Sequence, residues 1–460
     1  MLPDDVLLDI FSFYVDKARR EDDWHTLVQV CRRWRNLVFA SPRRLRLTLL
    51  CTPKRPVREM LDIWPALPIS VRDFGNGSTS LEVDNIIAAL ERNDRIYQIT
   101  LTLVPGPKLE RFMAVMQRPF PVLTDLSLIM YLEWGRFFPD AFLGGCAPRL
   151  RHLSLMGMPF PKPLFSAPDL VILSLWNIPH SGYFSPEAMV AYLSVLTRLE
   201  SLYLGFDSPQ IFHDLTSQHP PPLRRTVLPA LTSLRLSLRG ASERLEDVVS
   251  RIDVPLLNEV TITFIDELEI HTPQLFQLLS RTDNFKGFNR AIVMFQDQSV
   301  EVALSRGPGE FDHPMLTLRI SCSRLYRQSF SLARVFGSSL PPLSHLERLD
   351  IYDHRSSIWQ GFIQNTEWLV LLHQFTSVND LYLFDGLAPH VAPALQELVG
   401  QRVTEVLPAL QNLFLAGSWR QVPVPAGILK FVAARQLSGH PLSVNHWERG
   451  AWIVDALGDL

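Results

Sequence analysis

One spacing constrains this chain more than any other. An apolar triplet of the form L-x-x-L-x-L, with substitutions, occurs at Ile96-Ile99-Leu101, Leu123-Leu126-Leu128, Leu150-Leu153-Leu155, Leu170-Leu173-Leu175, Leu199-Leu202-Leu204, Leu231-Leu234-Leu236 and Leu257-Val260-Ile262. It continues at Met315-Leu318-Ile320, Leu346-Leu349-Ile351, Val378-Leu381-Leu383 and Leu410-Leu413-Leu415. Alternate apolar positions mark a half-buried strand. A strand that returns every 20 to 32 residues leaves room for one helix or loop between copies, the mark of a repeat array. The interval from Leu257 to Met315 is 58 residues, so a degenerate copy is expected near Phe285 to Val293. Proline stands two residues ahead of many copies (Pro121, Pro148, Pro168, Pro229, Pro255, Pro408). There it fixes the chain without removing a hydrogen bond from the strand.

Helices are expected between the strands. Ser185-Pro186 opens one carrying Met189, Val190, Leu193 and Leu196, because Ser caps and Pro fits the first turn. Ser242, Thr272-Pro273 and Thr366 open others. Strand, helix, strand at this period reads as right-handed crossovers. A doubly wound open sheet is the competing architecture. The stretch 289–304 breaks the pattern: Ala291 to Phe295 and Ser299 to Leu304 flank Gln296-Asp297-Gln298 as a β-hairpin, either a ribbon inserted in the array or a distorted copy. Residues 421–460, with a helix over Ile428 to Gln436 and with Trp447 and Trp452, read as a C-terminal cap, since an open array needs its ends covered.

Composition narrows the class. A chain of 460 residues with 47% hydrophobic content can bury a large core, and a net charge of −3 carries no global bias toward nucleic acid. Cys31, Cys51, Cys146 and Cys322 are scattered and form no C-x-x-C pair, which points to a reducing compartment without a zinc site. No apolar run reaches the length of a membrane span, and Asp4, Asp5 and Asp9 interrupt what a signal peptide would need. The expected location is the cytoplasm and/or nucleus. No nucleophile elbow, phosphate loop or zinc-protease motif is present. His440, His446 and Glu448 lie close together but read as structural. No catalytic residue, metal or cofactor is expected.

The first forty residues differ from the rest. Pro3, Asp4 and Asp5 suit the start of a helix, and Val6, Leu7, Ile10, Phe11 and Tyr14 follow at spacings of three and four as one apolar face. A second helix is expected over Trp24 to Val30 and a third over Arg32 to Ala40, ended by Ser41-Pro42. Three short helices cannot cover this much apolar surface among themselves. Cys31 reads as a small buried hydrophobe.

Leu2-Pro3, then Leu7, Leu8, Ile10 and Phe11, then Val30-Cys31-Arg32-Arg33-Trp34, resembles an F-box. The connection from Val15 to Asp23 is longer than that family usually has. The resemblance implies docking on a Skp-type adaptor, and through it on a cullin, with Leu2, Pro3, Val6, Leu7, Ile10, Phe11, Val30, Cys31 and Trp34 as adaptor-binding residues. The apolar triplets resemble leucine-rich repeats, although the usual Asn or Cys after each triplet is missing. The expected class is thus α/β: a three-helix F-box (1–42), linking strands and a helix capping a solenoid (43–91), an irregular leucine-rich-repeat horseshoe (92–420) and the C-terminal cap (421–460).

Two further features bear on partners. Arg32, Arg33, Arg35, Arg43, Arg44, Arg46, Lys54, Arg55 and Arg58 form a basic stretch. It reads as a solvated face, as steering toward an acidic partner or as phosphate binding, although without interleaved aromatics for base stacking. Positions alternate to the apolar ones face away from the core. They include Trp176, Tyr203, Tyr352, Tyr382, Phe384 and Phe414, residue types that dominate interface hot spots. They are candidate contacts for an unknown target protein unless the C-terminal tail covers them. Together these features predict a non-catalytic substrate receptor of an SCF-type ubiquitin ligase. The alternative is a repeat scaffold whose helical head is only a cap.

Overall fold

The computed structural model describes residues 2–17, 23–40, 47–53, 56–63, 68–73, 80–103, 107–131, 138–160, 167–179, 185–207, 225–239, 242–266, 272–307, 314–321, 343–353, 363–384, 386–416 and 424–447. Arg43, Arg44, Arg46, Lys54, Arg55, Ser41-Pro42, Cys322, Glu448 and Trp452 lie outside them, as do the side chains of Trp24 and Trp447. The chain is mixed α/β. It divides into two compact units, Met1–Asp207 with Leu228–Leu231, and Ser208–Val227 with Thr232–Leu460.

Three helices open the first unit: α1 (Asp4–Lys17), α2 (Asp23–Val30) and α3 (Arg32–Ala40). Leu7, Leu8, Phe11, Leu27 and Val38 are buried. The Phe11 ring meets Trp34 at 4.7 Å between centroids, tilted by 58°. Arg33 donates to the Asp4 carboxylate at 2.5 Å and to the Leu2 carbonyl at 2.6 Å, tying the start of α1 to α3. The single apolar face expected on α1 is in fact two. Leu7, Leu8 and Phe11 turn inward, whereas Val6, Ile10, Phe13 and Tyr14 are exposed. Each residue advances the helix by about 100°, so Val6, Ile10 and Phe13 fall in one stripe while Leu7, Leu8 and Phe11 lie about 100° or more around the helix from Val6.

Strands β1 (Leu47–Leu50), β2 (Ile69–Arg72), β3 (Ile96–Leu103), β4 (Asp125–Met130), β5 (His152–Met156), β6 (Ile172–Ile178) and β7 (Ser201–Asp207) follow. All pair in parallel and in sequence order. Helices α4 (Val57–Ile63), α5 (Ser80–Leu90), α6 (Pro107–Val115) and α7 (Pro186–Val195) lie between them in sequence. The Ser185 hydroxyl caps α7 by accepting from the Ala188 N–H at 3.2 Å.

A single turn sets up each proline-led strand in both units. The N–H of Leu123 donates to the Phe120 carbonyl, and Leu150 to Ala147, Leu170 to Ala167, Leu231 to Leu228, Leu257 to Val254 and Leu410 to Leu407 do the same. Proline holds the second place of each four-residue turn, where its fixed φ belongs. The residue that opens each turn is buried, so the turn anchors the chain to the core before the strand begins.

The second unit contains β8 (Thr226–Val227), β9 (Ser233–Arg239), β10 (Ile252–Asp253), β11 (Glu259–Ile265), β12 (Arg290–Phe295), β13 (Ser299–Ser305), β14 (Leu316–Ser321), β15 (Arg348–Asp353), β16 (Asp380–Leu383), β17 (Asn412–Ala416) and β18 (Ser443–Trp447). Its helices are α8 (Ser242–Ser250), α9 (Pro273–Arg281), α10 (Asn365–Leu372), α11 (Ala388–Gln396) and α12 (Ala426–Leu437). Strands β8 and β10 form a separate parallel pair. The others run β9-β11-β14-β13-β12-β15-β16-β17-β18, so sequence order breaks at the long interval.

Both expectations for that interval meet here. Strand β12 pairs in parallel with β15 and carries a disguised triplet, Phe288-Ala291-Val293, all buried. The chain then returns through antiparallel β13 and β14, and β14 closes in parallel on β11. Met315 opens the triplet of this returning strand, and it is the one first-position residue left half-buried. In the C-terminal segment, β18 adds a parallel strand to β17.

Candidate docking surfaces

The head offers an apolar surface after its own core is complete. Leu7 and Phe11 belong to that core, and Trp34 is half-buried against Phe11. Leu2, Pro3, Val6, Ile10 and Val30 are exposed. Phe13, 60% accessible, extends the stripe of Val6 and Ile10 along α1. The sequence reading missed Phe13, although its spacing of seven from Val6 places it on the same face. Cys31 is not the buried hydrophobe expected. It is exposed at the junction of α2 and α3, and its Sγ accepts from the Trp34 N–H at 3.5 Å.

The alternate face of the first unit carries Gln98, Asp125 and His152 in one row and Thr100, Ser127, Ser154 and Ser174 in the next. These line, in part, an open cavity of about 130 Å³ between β3 and β6. His152 Nδ1 pairs with Asp125 Oδ1 across the strands, and Thr124 donates to Asp125 Oδ2 at 2.5 Å. A carboxylate only accepts, so Nδ1 is the donor. Farther along β6, Trp176 stacks on Tyr203 at 3.7 Å with Trp176 41% accessible.

The corresponding face of the second unit is buried in part. Tyr352 and Phe384 stack at 3.9 Å and are buried with Met294, which corrects their expected place on an open surface. Met294, in register with Tyr352 on the adjacent strand β12, packs beside it in this cluster. Tyr382 and Phe414 remain half-buried, stacked at 4.2 Å. The Arg348 guanidinium lies 3.9 Å above the Tyr382 ring and donates to Asp350 at 2.8 Å. Burial works against the Arg348 charge, but the Asp350 carboxylate outweighs it and holds the guanidinium above the ordinary arginine range. The six aromatics thus form one pair in the first unit and a partly buried group in the second.

Among the described residues no helix is long and apolar enough to cross a membrane. Against this geometry, comparison with known families is decisive for the head alone. Residues 1–45 match the F-box-like family model. The match covers α1 to α3, including the exposed stripe of α1. No curated protein matches the chain.

Proposed function

We propose that this chain is the substrate-recruiting subunit of an SCF-type cullin–RING ubiquitin ligase. Its F-box-like head docks on a Skp-type adaptor, which links it to the cullin. Its parallel strand array, read as degenerate leucine-rich repeats, holds a target protein. One observation carries the docking reading: the matched segment leaves Val6, Ile10 and Phe13 exposed on α1, with Leu2 exposed just ahead of it, while the helix's inward face is already packed. Contiguous exposed apolar surface marks an interaction site, and an apolar helix face fits a partner groove. The repeat reading is supported by the recurring triplet, its buried turn and the parallel pairing of successive strands. Such a subunit performs no chemistry and needs no cofactor. It acts in the cytoplasm and/or nucleus by raising the local concentration of a target beside a ubiquitin-loaded enzyme.

Co-expression with a Skp-type adaptor tests this reading. The wild-type chain is expected to co-purify with the adaptor, and Val6→Asp with Ile10→Asp to lose it while the melting transition stays in place. A folded wild-type chain that ignores the adaptor would overturn the reading.

A further inference from the structure

We infer that the alternate face of β3 to β7 binds an extended peptide segment of the target, with a lysine or arginine at the Asp125–His152 pair and an apolar side chain against Trp176. The inference rests on the receptor reading above and adds where the target sits and what chemistry it presents.

The cationic end follows from the cavity's polar groups. Among the residues that line it, Asp125 holds the one carboxylate and no lysine or arginine appears. His152 Nδ1 donates to Asp125 Oδ1 and holds that carboxylate in place in the cavity wall. Gln98 Oε1 is engaged by the Ser70 hydroxyl at 3.0 Å, and Thr100, Ser127 and Ser154 supply hydroxyls that serve as donor or acceptor. Such a site complements a multiple donor with positive charge, which is an ammonium or a guanidinium.

The apolar end follows from the other flank. Ile129 and Met156 are half-buried and Trp176 is exposed. Trp176 is in register with Met156, while His152 is in register with Ile172 and Asp125. Trp176 is therefore two strands across and four residues along from Asp125. At about 4.8 Å per strand and 3.3 Å per residue, the two ends lie roughly 16 Å apart. An extended peptide covers that distance in about five residues. The Trp176–Tyr203 stack gives the apolar end a rigid anchor, which costs little entropy to bind.

A fluorescent hexapeptide library tests this, with Lys, Arg, Gln or Glu at one end, Leu, Phe or Ser at the other, and Gly and Ser between. Full-length protein is expected to enrich peptides that pair Lys or Arg with Leu or Phe. Asp125→Asn and Trp176→Ala should each weaken the best peptide tenfold or more. Both variants should keep the wild-type melting temperature and adaptor binding. Enrichment of Glu, absence of any enrichment, binding by Asp125→Asn within twofold of wild type, or a dimer seated on this face would each overturn it. Selection of cationic peptides by a chain that ignores the adaptor would instead refute the ligase reading and leave the peptide site standing.

Discussion

The Arg290 guanidinium lies 2.5 Å from the Asp350 carboxylate, and neither side chain is more than 4% accessible. Strand β12 carries the one and β15 the other, so the pair exists because the hairpin places these strands side by side. Arg348, on the same strand as Asp350, donates to the other carboxylate oxygen.

Removing Asp350 should therefore be severe. Asp350→Ala leaves Arg290 buried without the carboxylate that neutralises it, at a cost of about 3–5 kcal/mol. Replacing Arg290 and Asp350 together by Met and Leu should recover most of that loss. Urea midpoints of the three variants check it. A double variant as unstable as Asp350→Ala would mean the pair is not what the site requires.

Arg435 is expected to be a second large determinant. It is buried, and its guanidinium donates to the carbonyls of Leu407, Pro408 and Leu410 at 3.2, 3.2 and 3.0 Å. Burial lowers its pKa. Arg435→Ala would strand several buried acceptors and cost roughly 3 kcal/mol or more. Arg435→Lys should restore only part of this, since an ammonium cannot reproduce the planar fork. Thermal melts separate the three proteins.

The two faces of α1 should separate in function. Phe11→Ala removes a core ring and should destabilise the head by about 3–5 kcal/mol. Phe13→Ala should leave the fold intact and weaken adaptor capture. Hydrogen exchange over residues 4–17, read beside a pull-down, checks both at once. Equal protection in both variants would mean that Phe11 is not the core residue its burial implies.

Gly157 follows β5 with φ +70, a conformation that suits glycine. A Cβ there would collide with the Met130 carbonyl oxygen at the end of the neighbouring strand β4. Gly157→Ala is expected to destabilise by more than the roughly 1 kcal/mol that an unstrained Gly→Ala change gains, and a melt within a degree of wild type would contradict it.

Tyr382 gives a pH-dependent prediction. Burial raises its pKa above the ordinary phenol value of 10.0, opposed by Arg348 and aided by Asp380 and Asp350. The unfolded phenol ionises first as pH rises. The folded chain then holds a proton that the unfolded chain has lost, so this contribution to stability is intact below about pH 10 and declines above it. Tyr382→Phe should lose less stability than wild type between pH 9.5 and 11, measured by denaturant midpoint.

Local pattern settled much of this protein. The apolar triplets located the strands, because a side-chain period of two is a property of the strand itself. The prolines marked their turns, because a turn is closed within four residues. Leu2-Pro3 and Val30-Cys31-Arg32-Arg33-Trp34 marked the head. Tertiary contacts decided the rest. Triplet spacing alone could not say that β14 would return to β11 while β12 took its place beside β15, since strand neighbours are chosen across tens of residues. Nor could it say which alternate face stays open. Alternation puts Trp176 and Tyr352 on equivalent positions, yet Trp176 remains exposed and Tyr352 is buried with Met294 and Phe384. The period states which side chains share a face, and only packing against distant segments determines what covers it.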